Sequence, residues 1–236
     1  AITDDGQYHA WTEINVPQRP FEIENVDTVT VPLAQSGYTT EYLRYRITIN
    51  DRPNETNYYR IVIDKQTTLW GYNHEEGGDD YIYWTKHSYN FIGREDVVLT
   101  DGQPTTGDDE DNGLFDTAKN IYGVFDDTRF RNTSYTMTVY NNTKIETGSD
   151  SGYFSGMDVI IRLMSITETE YYYLKALNLV DSDAYDETIN EPIKYPSNVH
   201  GGTGMVGIST EVTQTIHIIS SSHSKGNLAP PVHVYQ

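Results

Sequence analysis

The sequence predicts a mostly β fold, an antiparallel β-sandwich or partly open barrel with one packed α-helix near residues 167–180. Three observations carry this. Apolar and polar side chains alternate along many short segments, the period expected where successive strand residues face opposite sides of a sheet. Clusters of Gly, Asn and Asp separate those segments, as turns require. A single stretch changes to the 3.6-residue period of a helix.

Taken in order, Tyr8, Ala10, Thr12 and Ile14 alternate with His9, Trp11 and Glu13 ahead of Pro17 and read as a strand. A second strand is expected over 26–33. Leu43, Tyr45, Ile47 and Ile49, set against Tyr42, Arg44, Arg46 and Thr48, give the cleanest alternation in the chain and describe a half-buried strand. The polar break at 50–56, with Asp51 and Pro53, suits a turn, and Tyr59, Ile61 and Ile63 then resume the alternation, so a β-hairpin is expected there. Further strands are predicted at 81–89, 96–99, 135–140, 159–166 and 213–219, with loops over 100–112 and 141–156.

The helix is read from Tyr173, Leu174, Leu177 and Val180, whose spacing shares one face. Two overlapping capping boxes mark its start, Ser165 with Glu168 and Thr167 with Glu170. Its polar face is not basic, which favours packing on a sheet over lying on a membrane. No repeat of fixed period is visible, which argues against a propeller or solenoid.

Length and composition bound the answer. The chain has 236 residues, enough for one large β domain, and 36% hydrophobic residues with 20 tyrosines can offset the entropy of ordering it. Sixteen basic against 35 acidic side chains give a net charge of -19, and no run of Lys or Arg appears, so nucleic acid is not an expected partner. The absence of cysteine excludes a disulfide framework, a thiol nucleophile and a thiolate metal site in these residues. No stretch approaches the roughly 20 apolar residues of a membrane-spanning helix.

The chemistry-bearing patterns are few. Asp108, Glu110, Asn112 and Asp116 fall at the first, third, fifth and ninth positions of a calcium-loop pattern, but Lys119 stands at the twelfth, where a bidentate Glu belongs. An opportunistic Ca²⁺ site is therefore weighed against a solvated acidic loop, and no other cofactor is expected. The seven histidines show no pair at the i, i+4 spacing of a helical zinc site. Ser155 lacks the Gly-x-Ser-x-Gly elbow, and Gly201-Gly202-Thr203-Gly204 lacks the Lys-Ser/Thr ending of a phosphate loop. Trp70, Tyr72, Tyr81, Tyr83 and Trp84 form the densest aromatic segment, whose ring faces suit stacking on a sugar or a peptide. Alternation across a packed sheet gives the same composition.

Four separated segments carry a family resemblance. Arg46-Ile47-Thr48-Ile49-Asn50-Asp51 precedes Asn57-Tyr58-Tyr59-Arg60, and Phe125-Asp126-Asp127 precedes residues 132–137. The 165–177 strand-to-helix junction follows, then Glu191-Pro192 with Ser197-Asn198-Val199 and the Gly201, Gly202, Gly204 set. In order and spacing they resemble the Bacteroidetes family catalogued as domain of unknown function 4249.

That resemblance implies an outer-membrane-anchored envelope lipoprotein encoded near TonB-dependent transporters. A signal and a lipid-bearing cysteine would precede an immunoglobulin-like or transthyretin-like β region. On this expectation residues 1–20 are the end of that region or a linker, and 21–236 are a single mostly β domain. The resemblance brings no catalytic residues. Asn57, Tyr58, Arg60, Asn198 and Gly202 match its pattern, and turn geometry and strand packing explain these residue types. In the same context Asp27-Thr28-Val29 and Asp116-Thr117-Ala118 resemble O-glycosylation acceptors, which makes Thr28 and Thr117 candidate modification sites.

Three functional classes follow. The first is a non-catalytic lipoprotein, accessory to an outer-membrane transporter, that touches the membrane only through its lipid. The second is a glycan- or peptide-binding module without that partner. The third is an enzyme with an unrecognised carboxylate or histidine site.

Overall fold

The computed structural model describes residues 6, 8–35, 38–73, 80–89, 93, 96–102, 120–142, 153–181 and 192–218. In chain order these form β1 (Asn25–Gln35), β2 (Tyr38–Asn50), β3 (Tyr58–Asn73), β4 (Asp80–Ser88), β5 (Val124–Asp126), β6 (Ser134–Asn142), β7 (Tyr153–Ile166), α1 (Glu168–Val180) and β8 (Thr210–Ile218). The strands make two antiparallel sheets, one ordered β1-β2-β6 and the other β4-β3-β7-β8 with β5 paired to β3. No barrel closes among the described residues, and the fold is the sandwich-like member of the two predicted architectures. No described helix is long and apolar enough to cross a membrane.

Contacts cluster the chain into two units. The first comprises Ala1–Val62, Asn90–Thr143 and Arg162–Gln214, and the second Ile63–Tyr89, Lys144–Ile161 and Thr215–Gln236. In the first unit the alternation of β2 does what period-2 patterning dictates: Leu43, Tyr45, Ile47 and Ile49 are buried. Their antiparallel register sets Ile47 opposite Met137 and Tyr45 opposite Val139, both buried on β6. Burial of each such side chain contributes about 1.5–3 kcal/mol. Rings extend this core, with Tyr59 and Phe125 centred 5.4 Å apart and Phe130 and Tyr135 5.2 Å apart. Tyr171 and Leu174 bury the inner face of α1 against Val124 and Ile166. In the second unit Ile63 and Leu69 of β3 are buried on one face with the polar Lys65 and Thr67 between them, and Met157, Val159 and Ile161 of β7 are buried at alternate positions. There β3 pairs with β4 from Lys65 opposite Ser88 to Asn73 opposite Asp80.

Several expectations need correction. The predicted hairpin between 43–49 and 59–63 does not form, because β2 and β3 belong to different sheets. The break at 50–56 is a crossover fixed by a buried carboxylate, Asp51, rather than a tight turn. Residues 96–99 are not a strand. The Asp96 carboxylate accepts from the amides of Val98 (3.0 Å) and Leu99 (3.3 Å), and the Thr100 amide returns to the Asp96 carbonyl, which folds the segment into turns. The expected strand over 8–14 reduces to one bridge, Trp11 with His200, whose rings stack 4.3 Å apart. The three-residue β5 is too short for alternation to reveal. Residues 141–142 and 153–156, read as loop, belong to β6 and β7.

Of the two capping boxes, the chain uses half of one. Thr167 sits in the extended region, and its hydroxyl accepts from the Glu170 amide at 3.2 Å. Glu170 does not reach back to the cap; its carboxylate lies against Gly207, with Oε2 2.8 Å from where a Cβ there would stand. Thr167→Ala should therefore cost about 1 kcal/mol. Thr167→Ser should retain most of that stability, with the urea midpoints of both variants as the measurement.

Candidate functional site

The segments that carry the family resemblance meet in polar knots. Asp51 opens the crossover that follows β2, with both carboxylate oxygens engaged. Oδ1 accepts from the Tyr59 hydroxyl (3.1 Å) and the Asn57 amide group (3.3 Å), and Oδ2 accepts from the Asn132 backbone N–H (2.8 Å). Asp127 is 0% exposed; its Oδ2 accepts from the Asn57 backbone N–H at 2.8 Å and its Oδ1 from the Arg131 guanidinium at 3.0 Å. Asn132 adopts a φ of 63° and accepts from the Asn54 amide at 2.9 Å. Burial, followed by the charge and hydrogen bond of Asp51, pushes the Tyr59 hydroxyl well above the usual phenol range. Every one of these groups is occupied in joining the 51–57 crossover to the turn before β6, so the knot is scaffold.

The glycine-rich segment has the same character. Asn198 pairs its side chain with Val206 through both N–H (2.9 Å) and C=O (2.8 Å), and Ser197 accepts from the Gly204 amide at 3.2 Å. Gly201 has a φ of 74°, and a Cβ there would stand 2.2 Å from the His9 carbonyl oxygen. Only glycine admits the close approach that makes the Trp11–His200 bridge. Arg60 donates to the Tyr122 carbonyl at 3.1 Å, and the Tyr58 hydroxyl donates to Glu168 at 3.0 Å.

Two carboxylates at α1 are shifted in opposite directions. Burial pushes the Glu170 carboxyl up, while the Arg60 charge and the Ile208 N–H pull it down less strongly. Burial also acts to raise Asp126. There, hydrogen bonds from Thr128 and the Tyr171 hydroxyl, with the nearby Lys175 charge, hold the carboxyl below its usual range.

The predicted aromatic segment lies on β3 and β4, within the second unit. The register sets Trp70 opposite Tyr83, Tyr72 opposite Tyr81 and Leu69 opposite Trp84. Cross-strand partners share a face, so positions 70, 72, 81 and 83 fall on one face and Trp84 on the other, opposite the buried Leu69. The structure thus brings four of the five candidates into one row and separates Trp84. Tyr83 is 39% exposed. The same face continues through Thr68 opposite Thr85 to Gln66 opposite His87.

At that end lies a group that motif reading did not find. Asp64 is 2% exposed, and its carboxylate accepts from Gln66 Nε2 at 2.7 Å and from His87 Nδ1 at 3.0 Å. A carboxylate only accepts, so Nδ1 carries the donated proton and Nε2 is the ring nitrogen left to face a ligand. The His87 side chain is 43% exposed, and its ring lies at 18° to that of Tyr89 with centroids 6.1 Å apart. A second pair, His217 Nδ1 with Asp158 Oδ1 at 2.7 Å, is exposed in the same unit. The signal for Asp64 and His87 was the β3–β4 register, which spacing in the sequence does not reveal.

The remaining candidates are placed as follows. Asp108, Glu110, Asn112, Asp116 and Thr117 lie outside the described residues. Thr28 is exposed on β1, opposite the buried Tyr45 of β2. Among the described residues no three His, Asp or Glu groups converge as metal ligands.

The family model described as Domain of unknown function (DUF4249) matches residues 1–215. None of the curated proteins matches the chain.

Two predictions separate scaffold from surface. Asp127→Ala strands the Asn57 amide and Arg131, and should cost about 3 kcal/mol in urea denaturation. Glu170 has a raised folded pKa, so its contribution is fully present below the ordinary glutamate value and is lost as pH rises through the raised value. Glu170→Gln should therefore be more stable than the parent at neutral pH, with the difference vanishing toward acid. A difference that stays constant across a pH series of urea midpoints would assign Glu170 a packing role instead.

Proposed function

The chain belongs to the DUF4249 family, and from that premise we propose that it is a non-catalytic, ligand-capturing module of the cell envelope. In this reading a lipid holds it at the outer membrane, and it works beside a TonB-dependent transporter. The observation that carries the binding half is the outer face of β3 and β4, where the exposed Tyr83 shares a row with three further aromatic positions and with the Asp64–Gln66–His87 group. An exposed aromatic ring beside oriented polar groups supplies stacking area and directional hydrogen bonds together, the combination that ligand sites use. The family resemblance supports the transporter half.

The binding half is tested on an array that carries both oligosaccharides and peptides. The full chain should be retained, and Tyr83→Ala should weaken retention about tenfold, the equivalent of one lost aromatic contact. The same variant should keep its stability to within about 0.5 kcal/mol, since it changes a partly exposed position. For the transporter half, the lipidated protein isolated from native outer membranes should bring a β-barrel transporter with it. Repeated recovery without one, at lysis conditions that preserve other membrane complexes, would remove the transporter from the reading.

A further inference from the structure

We propose that Asp64, Gln66 and His87 are the polar anchor of a site for a neutral glycan, with Tyr83 as its stacking platform; this rests on the reading of the β3–β4 face as a binding surface. Asp64 holds Gln66 by its amide N–H and His87 by Nδ1. Both side chains are gripped by donor groups, which turns Oε1 of Gln66 and Nε2 of His87 away from the carboxylate. A buried carboxylate that orients two planar groups in this way supports hydrogen bonds to ligand hydroxyls, which donate and accept alike.

Charge selects against an anionic ligand. The positions of this face from 64 to 72 on β3 and from 81 to 87 on β4 hold four aromatic rings, two threonines, one amide, one imidazole and one carboxylate, with no Lys or Arg. On a chain of net charge -19, a face without a cation repels uronates, sulfates and phosphates. Main-chain chemistry selects against an extended peptide. Peptides that dock on sheets add to an open edge, which on this side of the sheet is the outer backbone of β4, whereas Asp64 and Gln66 stand on the face of β3, an interior strand between β4 and β7. Recognition here rests on side chains, and a pyranose offers what they need: an apolar C–H face for Tyr83 and hydroxyls for Gln66 and His87. Residues on one face of a strand recur about every 6.8 Å, so the row from Tyr83 to His87 spans about 14 Å and accommodates more than one sugar unit.

The test uses the full chain on a printed array of neutral oligosaccharides, with anionic oligosaccharides and unmodified peptides on the same slide. Retention by neutral glycans is expected. His87→Ala and Asp64→Asn are each expected to weaken it about tenfold, the equivalent of one hydrogen bond to the ligand. His87 is partly exposed, so its truncation leaves the fold intact, and circular dichroism of both variants verifies this. Binding of peptides or anionic glycans with no neutral glycan retained would overturn the proposal and leave the binding reading standing. No retention of any probe would overturn both. Neutral-glycan binding that survives His87→Ala and Asp64→Asn but is lost in Tyr83→Ala would overturn the anchor.

Discussion

Two buried carboxylates govern how this chain changes sheets. Between the end of β2 and the start of β3 the backbone must leave one hydrogen-bonded layer and enter another, which exposes polar groups that neither ladder satisfies. Asp51 and Asp127 satisfy them. Between them they accept from the Asn57 backbone and side chain, the Asn132 backbone, the Tyr59 hydroxyl and the Arg131 guanidinium. With Asn57 held, Tyr58 enters β3 in a fixed register, opposite Asp126 of β5. Because strand alternation has a period of two, that register also decides which residues farther along β3 share a face. Asp64, Gln66 and Thr68 stand on one face because Tyr59, Ile61 and Ile63 stand on the other.

The strands were legible wherever one face is buried, since selection for a core leaves an alternating record. Leu43 to Ile49 on β2 and Tyr59 to Ile63 on β3 both read correctly. What could not be read was connectivity. A polar segment containing Asp51 and Pro53 looks the same whether it closes a hairpin or crosses between sheets, and the difference lies in partners seventy or more residues away, Asp127 and Asn132. Residues 96–99 failed for a related reason. Val97, Val98 and Leu99 have strand propensity, but the Asp96 side chain captures the Val98 and Leu99 amides and offers the backbone a local alternative to a ladder. The helix start was legible to within two residues, because Thr167, one of the two caps the pattern offered, acts locally and needs no distant partner.

The candidate surface was legible in composition and not in arrangement. Aromatic density over 70–84 pointed to β3 and β4, but a sequence window treats Trp84 as a neighbour of Tyr83, whereas a strand places them on opposite faces. The Asp64–His87 pair was invisible for the complementary reason. Its members are 23 residues apart, and only pairing of β3 with β4 makes them adjacent. Counting histidines by spacing finds helical metal sites and misses cross-strand pairs.

These two observations bear on what the family resemblance means. The residues that carry it, Asp51, Asn57, Asp127, Asn132, Asn198 and Gly201, are occupied in the crossover and in the Trp11–His200 bridge. Their hydrogen-bonding groups are turned toward one another, as scaffold requires. The β3–β4 face lies beyond the Asn57-Tyr58-Tyr59-Arg60 block and contributes none of those residues. A fold can be held by one set of side chains while its ligand chemistry is set by another, and in that case the family pattern identifies the architecture without identifying the ligand. Change on the face is then bounded by register alone: Tyr59, Ile61, Ile63 and Leu69 of β3 must stay buried on the opposite face, while the even positions of β3 and their partners on β4 are free to follow the ligand.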